Sequence, residues 1–349
     1  MPVITVASLN DLVQTTLAEL NKPDFTDIST DVREFTVMDR LVLNEKNVVV
    51  GKSIDWRVNV NPTYSFQNVG LGAEDSPIIV DTTITATMPW RNSTASWAII
   101  GQEIDINGEP ARIVDEIKLR RFTAMTAAAE GWERNFWGPP VAADDEVTPN
   151  GVNWWIVKNA TEGFNGGAPS GFTTVAGINP TTYPRWRNWT FQYSAVSQSD
   201  LITKLWNASE NTNFKSATPH ASTQRGTTED KKAYYTNTAL YLSLKQILQS
   251  QNENLGPDLD PFGDGLMYRG RPVQMVPYLD ADTTNPFYGI DWSYVRIYVL
   301  RNWWGRQTNI PNYPGQHTVS VNFLDWTYNW VWLNRRTSFV GATGVTYPS

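Results

Sequence analysis

The sequence contains no cysteine and only two histidines, His220 and His317, in 349 residues. The first absence excludes a disulfide framework and all thiolate chemistry, and it is compatible with a reducing cytoplasm. The second leaves no pair of imidazoles at helical spacing, so neither a zinc site nor a His-based triad is expected. No stretch approaches the ~18 uninterrupted apolar residues of a membrane span, and no basic segment followed by an apolar run opens the chain. The expectation is an unexported, soluble protein without a membrane partner. Positive charge is also scarce: 28 Lys and Arg against 35 Asp and Glu leave a net charge of −7. That is the wrong sign for a general nucleic-acid binder, which must displace counterions from phosphate.

What the sequence has in excess is tryptophan, 16 residues. Trp is enriched both in large cores and where wide surfaces are buried between chains. With 41% hydrophobic residues over 349 positions, the chain is long enough for a real core and for roughly two domains.

The organising stretch is Pro110 to Trp137, which reads as one helix of about 40 Å at 1.5 Å per residue. Asn107-Gly108 turns the chain before it, Pro110 suits a first turn, and Asp115 and Glu116 favour the positive end of the dipole. Val114, Ile117, Met125, Ala128, Trp132 and Phe136 recur on one face, and Gly138-Pro139-Pro140 stops the helix. Leu119 and Phe122 lie off that stripe, so the back of the helix is expected to touch something too.

Ahead of this helix, Ser8 to Lys22 reads as a short amphipathic arm with Leu9, Leu12, Val13, Leu17 and Leu20 on one face, too short to be stable alone. A second helix is expected over Asp31 to Val42. Then the period changes to two: Ile54, Trp56, Val58 and Val60 alternate with polar residues, and Val80 to Trp90 does the same through Ile84, Ala86 and Met88. Together they predict a long antiparallel hairpin with a wide tip at Asn61 to Pro77. Such a ribbon is marginal in water by itself and is expected to lie on another surface, a second subunit being one.

After the helix, Val141 to Asn150 reads as an acidic loop, Asn153 to Lys158 as a short buried strand and Gly163 to Gly177 as a surface connection. Helices are expected over Asp200 to Asn211 and Thr236 to Leu255, with a polar loop over Asn213 to Asp230. Strands are expected as a pair around Gly270 in Leu266 to Pro277, at Tyr294 to Trp304, and over Thr318 to Arg336.

The motifs that carry chemistry are missing. Lys46 stands where a phosphate-binding loop before Gly51-Lys52-Ser53 needs glycine. In Asp258 to Asp264, Phe262 and Pro261 break a calcium-loop pattern. Ser170 lacks the spacing of a nucleophile elbow. The basic pairs Arg120-Arg121, Arg185 with Arg187, Arg269 with Arg271, and Arg335-Arg336 read as salt-bridge donors within or between subunits. No catalytic, cofactor-binding or metal site is expected.

The order of parts nevertheless carries a resemblance. An arm, a long hairpin, one long helix ending in NFWG, a unit with YPRWRN, a YRGRPV strand pair and a closing strand ending in NRR together resemble a tailed-bacteriophage major capsid protein of the Hong Kong 97-like α+β fold. The resemblance implies an N-terminal arm at 1–40, an extended loop at 41–109 and a peripheral domain at 110–178 with its spine helix at 110–137. An axial domain at 179–317 and a C-terminal strand at 318–349 returning to the peripheral domain complete it. It implies a non-enzymatic homo-oligomer of hexamers and pentamers, made in the bacterial cytoplasm, closing into an icosahedral shell around double-stranded DNA without reading its sequence. The partners implied are a portal protein, decoration proteins and, given the short arm, a separate scaffolding protein. Trp56, Val58, Ile84, Met88 and Trp90 of the ribbon, with Leu12 and Leu17 of the arm, are then the candidate contacts between subunits. The competing expectation is a Trp-rich carbohydrate-binding or glycan-cleaving protein, which needs several aromatics coplanar on one exposed face.

Overall fold

The computed structural model describes residues 34–42, 47–60, 83–102, 110–213, 232–250, 266–310 and 318–344. The arm with Leu12 and Leu17, the ribbon tip, most of the polar loop before residue 231, Asp258 to Asp264 and both histidines lie outside the described residues. After a helical turn at Met38–Val42, the chain forms β1 (Asn47–Val49), β2 (Ile54–Asn59), β3 (Thr83–Met88), β4 (Arg91–Ile100) and α1 (Pro110–Trp137). There follow α2 (Val152–Trp155), β5 (Gly163–Gly166), β6 (Asn188–Gln192), α3 (Thr203–Asn211), β7 (Lys232–Thr236) and α4 (Thr238–Ser250). The last elements are β8 (Met267–Tyr268), β9 (Arg271–Met275), β10 (Phe287–Asp291), β11 (Val295–Ile310), β12 (Val319–Trp332) and β13 (Phe339–Ala342). The fold is α+β. Two units divide it: Met1–Val50, Arg91–Arg134 and Val299–Tyr328 form one, and Gly51–Trp90, Asn135–Tyr298 and Asn329–Ser349 the other.

The first unit contains most of a four-stranded sheet in the order β1-β11-β12-β4. β4 pairs antiparallel with β12 over ten residues, from Val319 opposite Ile100 to Tyr328 opposite Arg91. Trp132 of α1 packs here: its ring stacks on Trp304 at 5.6 Å and meets the edges of Trp326 at 5.3 Å and Tyr328 at 6.4 Å. Each such aromatic pair adds about 0.5–1.5 kcal/mol to the burial term. Next to it, buried Glu133 accepts the backbone N–H of Val37.

The second unit is built on a seven-stranded mixed sheet, β5-β6-β13-β10-β7-β9-β8. β7 and β9 are parallel, and α4 supplies the crossover that a parallel pair requires. α4 begins at Thr238 because the Asn237 side chain accepts the N–H of Leu240 at 3.1 Å, so Lys232–Thr236 is free to be a strand. Two glycines let aromatic rings lie flat on the sheet: a Cβ at Gly289 would fall into the Phe339 ring, and one at Gly341 into the Phe191 ring. Phe136, Trp137, Trp155, Trp330 and Trp332 form a second aromatic nucleus, with Phe136 on Trp332 at 5.6 Å and Trp155 on Trp332 at 5.6 Å.

Several expectations are corrected. Asn153 to Lys158 is not a strand: Val152–Trp155 makes one helical turn, which buries four successive side chains as no alternating strand can. Gly163 to Gly177 opens with the edge strand β5. β4 was invisible to an alternation test, because outward Ala98 and Ile100 are as apolar as inward Trp97 and Ile99. In β12 the inward phase of Trp326 to Trp332 runs unbroken back to Ser320, Asn322 and Leu324, while Val319, Val321 and Phe323 are only half-buried. In α1 the covered stripe at mid-helix is narrow: Met125, about 80° round from Ile117 at 100° per residue, is 37% exposed and joins Leu119 and Phe122 outside.

Candidate functional site

The two-stranded ribbon is the most distinctive surface feature of the second unit. β2 and β3 hydrogen-bond only to each other among the described strands. Their register sets Ile54 opposite Met88, Trp56 opposite Ala86 and Val58 opposite Ile84 on one face. Asp55, Arg57 and Asn59, with Thr87, Thr85 and Thr83, take the other face, so the alternation in the sequence is the pleat of the ribbon.

Burial is uneven along the apolar face, and Val60, just past the end of β2, is only 3% exposed. Ile54, Ala86 and Met88 are at most 1% exposed, Trp56 is half-buried against Trp155 at 6.3 Å, and Val58 and Ile84 are half-buried. The base is tied down by Thr87 N–H to the Ala176 carbonyl at 3.0 Å and by Trp90 Nε1–H to the Gly51 carbonyl at 2.9 Å. Asn329 Nδ2–H reaches the Pro89 carbonyl at 2.9 Å. Met88, expected as an intersubunit contact, is therefore covered by its own chain and offers no surface to a second one. Trp56, Val58, Ile84 and Trp90 keep part of their surface.

Beside Trp56, Val58 and Val60 lies a cleft of about 290 Å³, whose other walls include Arg185, Trp186 and Arg336. Arg336 covers the Phe164 ring at 3.6 Å; burial, and then the charge of Arg185, pull its pKa below the usual guanidinium value. Its neighbour Arg335 is not a salt-bridge donor, contrary to the sequence expectation. It is fully buried and donates to the carbonyls of Trp155, Trp186 and Gly167 and to the Asn188 side chain. Trp186 and Asn188 belong to YPRWRN and Arg335 to NRR, so two of the stretches that carry the resemblance meet in one buried hub.

Elsewhere one member of two basic pairs makes an ion pair, Arg120 with Glu116 at 2.9 Å and Arg269 with Glu210, whereas Arg187 donates to the Pro180 carbonyl at 2.7 Å. Among the described residues no group of three His, Asp or Glu side chains is placed to hold a metal, and no helix is long and apolar enough to cross a membrane. Most of the 16 tryptophans are core residues, so of the two roles open to them in the sequence, core packing accounts for the greater number. Trp206, on α3 of the second unit, is 60% exposed, and Trp303, under Arg306 on β11 of the first, is 39% exposed.

No protein-family model and no curated protein sequence matches the chain. Solved structures do. A chain of the cyanophage A-1(L) capsid asymmetric unit superposes with a TM-score of 0.62 at 16% identity, covering 94% of this chain and 98% of that one. A chain from the capsid of an empty GTA particle gives a TM-score of 0.55 at 12% identity, covering 94% and 96%. One from Gordonia phage Cozz gives 0.53 at 13% identity, covering 94% and 93%. Near-complete coverage on both sides means that the likeness extends over most of each chain, and the protein has the α+β fold of bacteriophage capsid proteins.

Proposed function

We propose that the chain is a major capsid protein of a tailed bacteriophage and that its role is structural rather than enzymatic. Subunits join as hexamers and pentamers and close into an icosahedral shell that holds double-stranded DNA without sequence-specific contacts. In this reading residues 1–40 are an arm, 41–109 the extended loop, 110–178 the peripheral domain, 179–317 the axial domain, and 318–349 return to the peripheral domain. A scaffolding protein, a portal protein and decoration proteins are its partners; it is made in the bacterial cytoplasm and resides in the virion.

The observation that carries the proposal is the ribbon, a strand pair with no third strand among the described residues and an apolar face that opens at Val58 and Ile84. Two strands alone are marginal in water, so a surface on a neighbouring subunit completes them. Trp56, Val58, Ile84 and Trp90, with Leu12 and Leu17 of the arm, are the proposed contacts. The fold shared with the cyanophage capsid chain supports the same reading. The test is sedimentation and negative-stain microscopy of the purified chain, with and without a co-expressed scaffolding protein. Closed shells are expected; a chain that stays monomeric in both conditions overturns the proposal.

A further inference from the structure

At the β7-β9-β8 edge of the second unit's sheet, a cavity of about 130 Å³ is lined by Ser209, Asn213, Lys232, Tyr234, Arg269 and Arg271. Three of the six are cations and none is a carboxylate. Glu210 pairs with Arg269, and Asp291 lies close enough to Lys232 to favour its charge, but neither acid lines the cavity. Arg269 Nη1–H donates to Ser209 Oγ at 2.8 Å, and Lys232 Nζ donates to the Thr212 carbonyl at 3.2 Å, so both heads are held in place. Arg269 and Gly270 form the two-residue turn between β8 and β9, at φ 52° and 74°. That backbone favours Asn or Gly, and an arginine there trades local comfort for position. Burial lowers the pKa of Lys232, and Arg271 and Arg269 push in the same direction, a tension that an anion in the cavity relieves.

The same unit carries a complementary shape. Asp144, Asp145 and Glu146 are the only run of three consecutive carboxylates in the sequence. Asp145 Oδ1 accepts the N–H groups of Val147 at 2.8 Å and Thr148 at 2.9 Å, which fixes the turn. Asp144 is exposed, and Val147 is 73% exposed. Carboxylate thus answers cation. A DNA backbone fits less well, because it needs a track of cations along successive phosphates and not a single enclosed cluster on an acidic protein.

We infer that this cationic cavity receives the Asp144–Val147 turn of a second copy of the chain. The inference rests on the self-assembly proposed above and names one contact of it. The surfaces on the two copies differ, so the contact is head-to-tail, and in the hexamers and pentamers proposed above it repeats around the ring.

Charge exchange in the full-length chain tests it. Assembled and free fractions of the wild type, Arg271→Glu, Asp144→Arg and the double variant are measured by sedimentation velocity at low salt, with unfolding temperatures as a control for folding. Each single reversal is expected to lower the assembled fraction by about tenfold or more, and the double variant to return it to within about twofold of wild type. The charge-neutral Arg271→Gln and Asp144→Asn give smaller losses in the same direction and serve where a reversal fails to fold. Single variants that assemble like the wild type, or a double variant no better than the singles, overturn this contact while leaving the capsid reading in place. A wild type that does not self-associate overturns both.

Discussion

Nη2 of Arg335 donates to Oδ1 of Asn188 at 3.2 Å, and neither side chain has any exposed surface. The same guanidinium reaches the Trp155 carbonyl at 2.6 Å and those of Trp186 and Gly167 at 2.9 Å. Asn188 in turn donates to the Val157 carbonyl at 3.0 Å and accepts the Val157 N–H at 3.1 Å. One planar fork thus satisfies four acceptors from segments far apart in the chain, a task a lysine head cannot perform. Burial lowers the pKa of Arg335 to about 9, still above neutral, so a charge sits in the core solvated only by carbonyl dipoles.

Arg335→Leu removes the guanidinium donor from all four acceptors, leaving Asn188 Oδ1 with the Val157 N–H. The expected loss is about 3–5 kcal/mol of unfolding free energy in urea, with Arg335→Lys recovering less than half of it. A loss below about 1 kcal/mol for the leucine variant contradicts the assignment of Arg335 as the fastener of this hub.

Glycine substitutions give opposite signs at two positions. Gly341→Ala drives a methyl into the Phe191 ring and is expected to cost about 1–3 kcal/mol. A Cβ at Gly131 in α1 meets nothing within 4 Å, so Gly131→Ala is expected to gain up to about 1 kcal/mol of helix propensity. Thermal unfolding of the two variants beside the wild type reads both.

Acid stability provides a third test. The side-chain bond from Lys204, then the backbone N–H groups of Ala195 and Ser194, hold the Asp200 carboxyl down to about 2, against a desolvation that raises it. A depressed carboxyl stabilises the fold above its unfolded pKa of about 3.9 and loses that contribution as pH falls through the folded value. The stability gap between wild type and Asp200→Asn should therefore be constant above about pH 5 and close between about pH 4 and pH 2. A gap that persists unchanged to the acid end contradicts this role.

These features differ in how far the sequence reveals them. The ribbon was legible because Ile54, Trp56 and Val58 alternate with charged or polar residues, and α1 because Pro110 and Gly138-Pro139-Pro140 mark its ends. β4 was not, since apolar side chains fall on both of its faces, and in β12 the inward phase was hidden because Ser320 and Asn322 carry no apolar signal. Arg335 read as a salt bridge because its acceptors are backbone carbonyls, which every residue possesses and no pattern marks. Within the ribbon, alternation told which face is apolar but not how far along it the chain covers its own side chains. Ile54 and Met88 are enclosed, whereas Val58 and Ile84 are not.

That difference decides how the central claim is tested. Deleting the whole ribbon removes Ile54, Ala86 and Met88 from the subunit's own core, so loss of assembly would say nothing about a neighbour. Substituting Val58→Glu together with Ile84→Lys leaves the base intact and places opposite charges across the strand pair, where they do not destabilise it. The measurement is the yield of sedimenting shells from this double variant, set against the unfolding free energy of its unassembled subunit. The account predicts unfolding within about 0.5 kcal/mol of wild type together with the loss of shells. Shells in wild-type yield, or a subunit that no longer unfolds cooperatively, would contradict it.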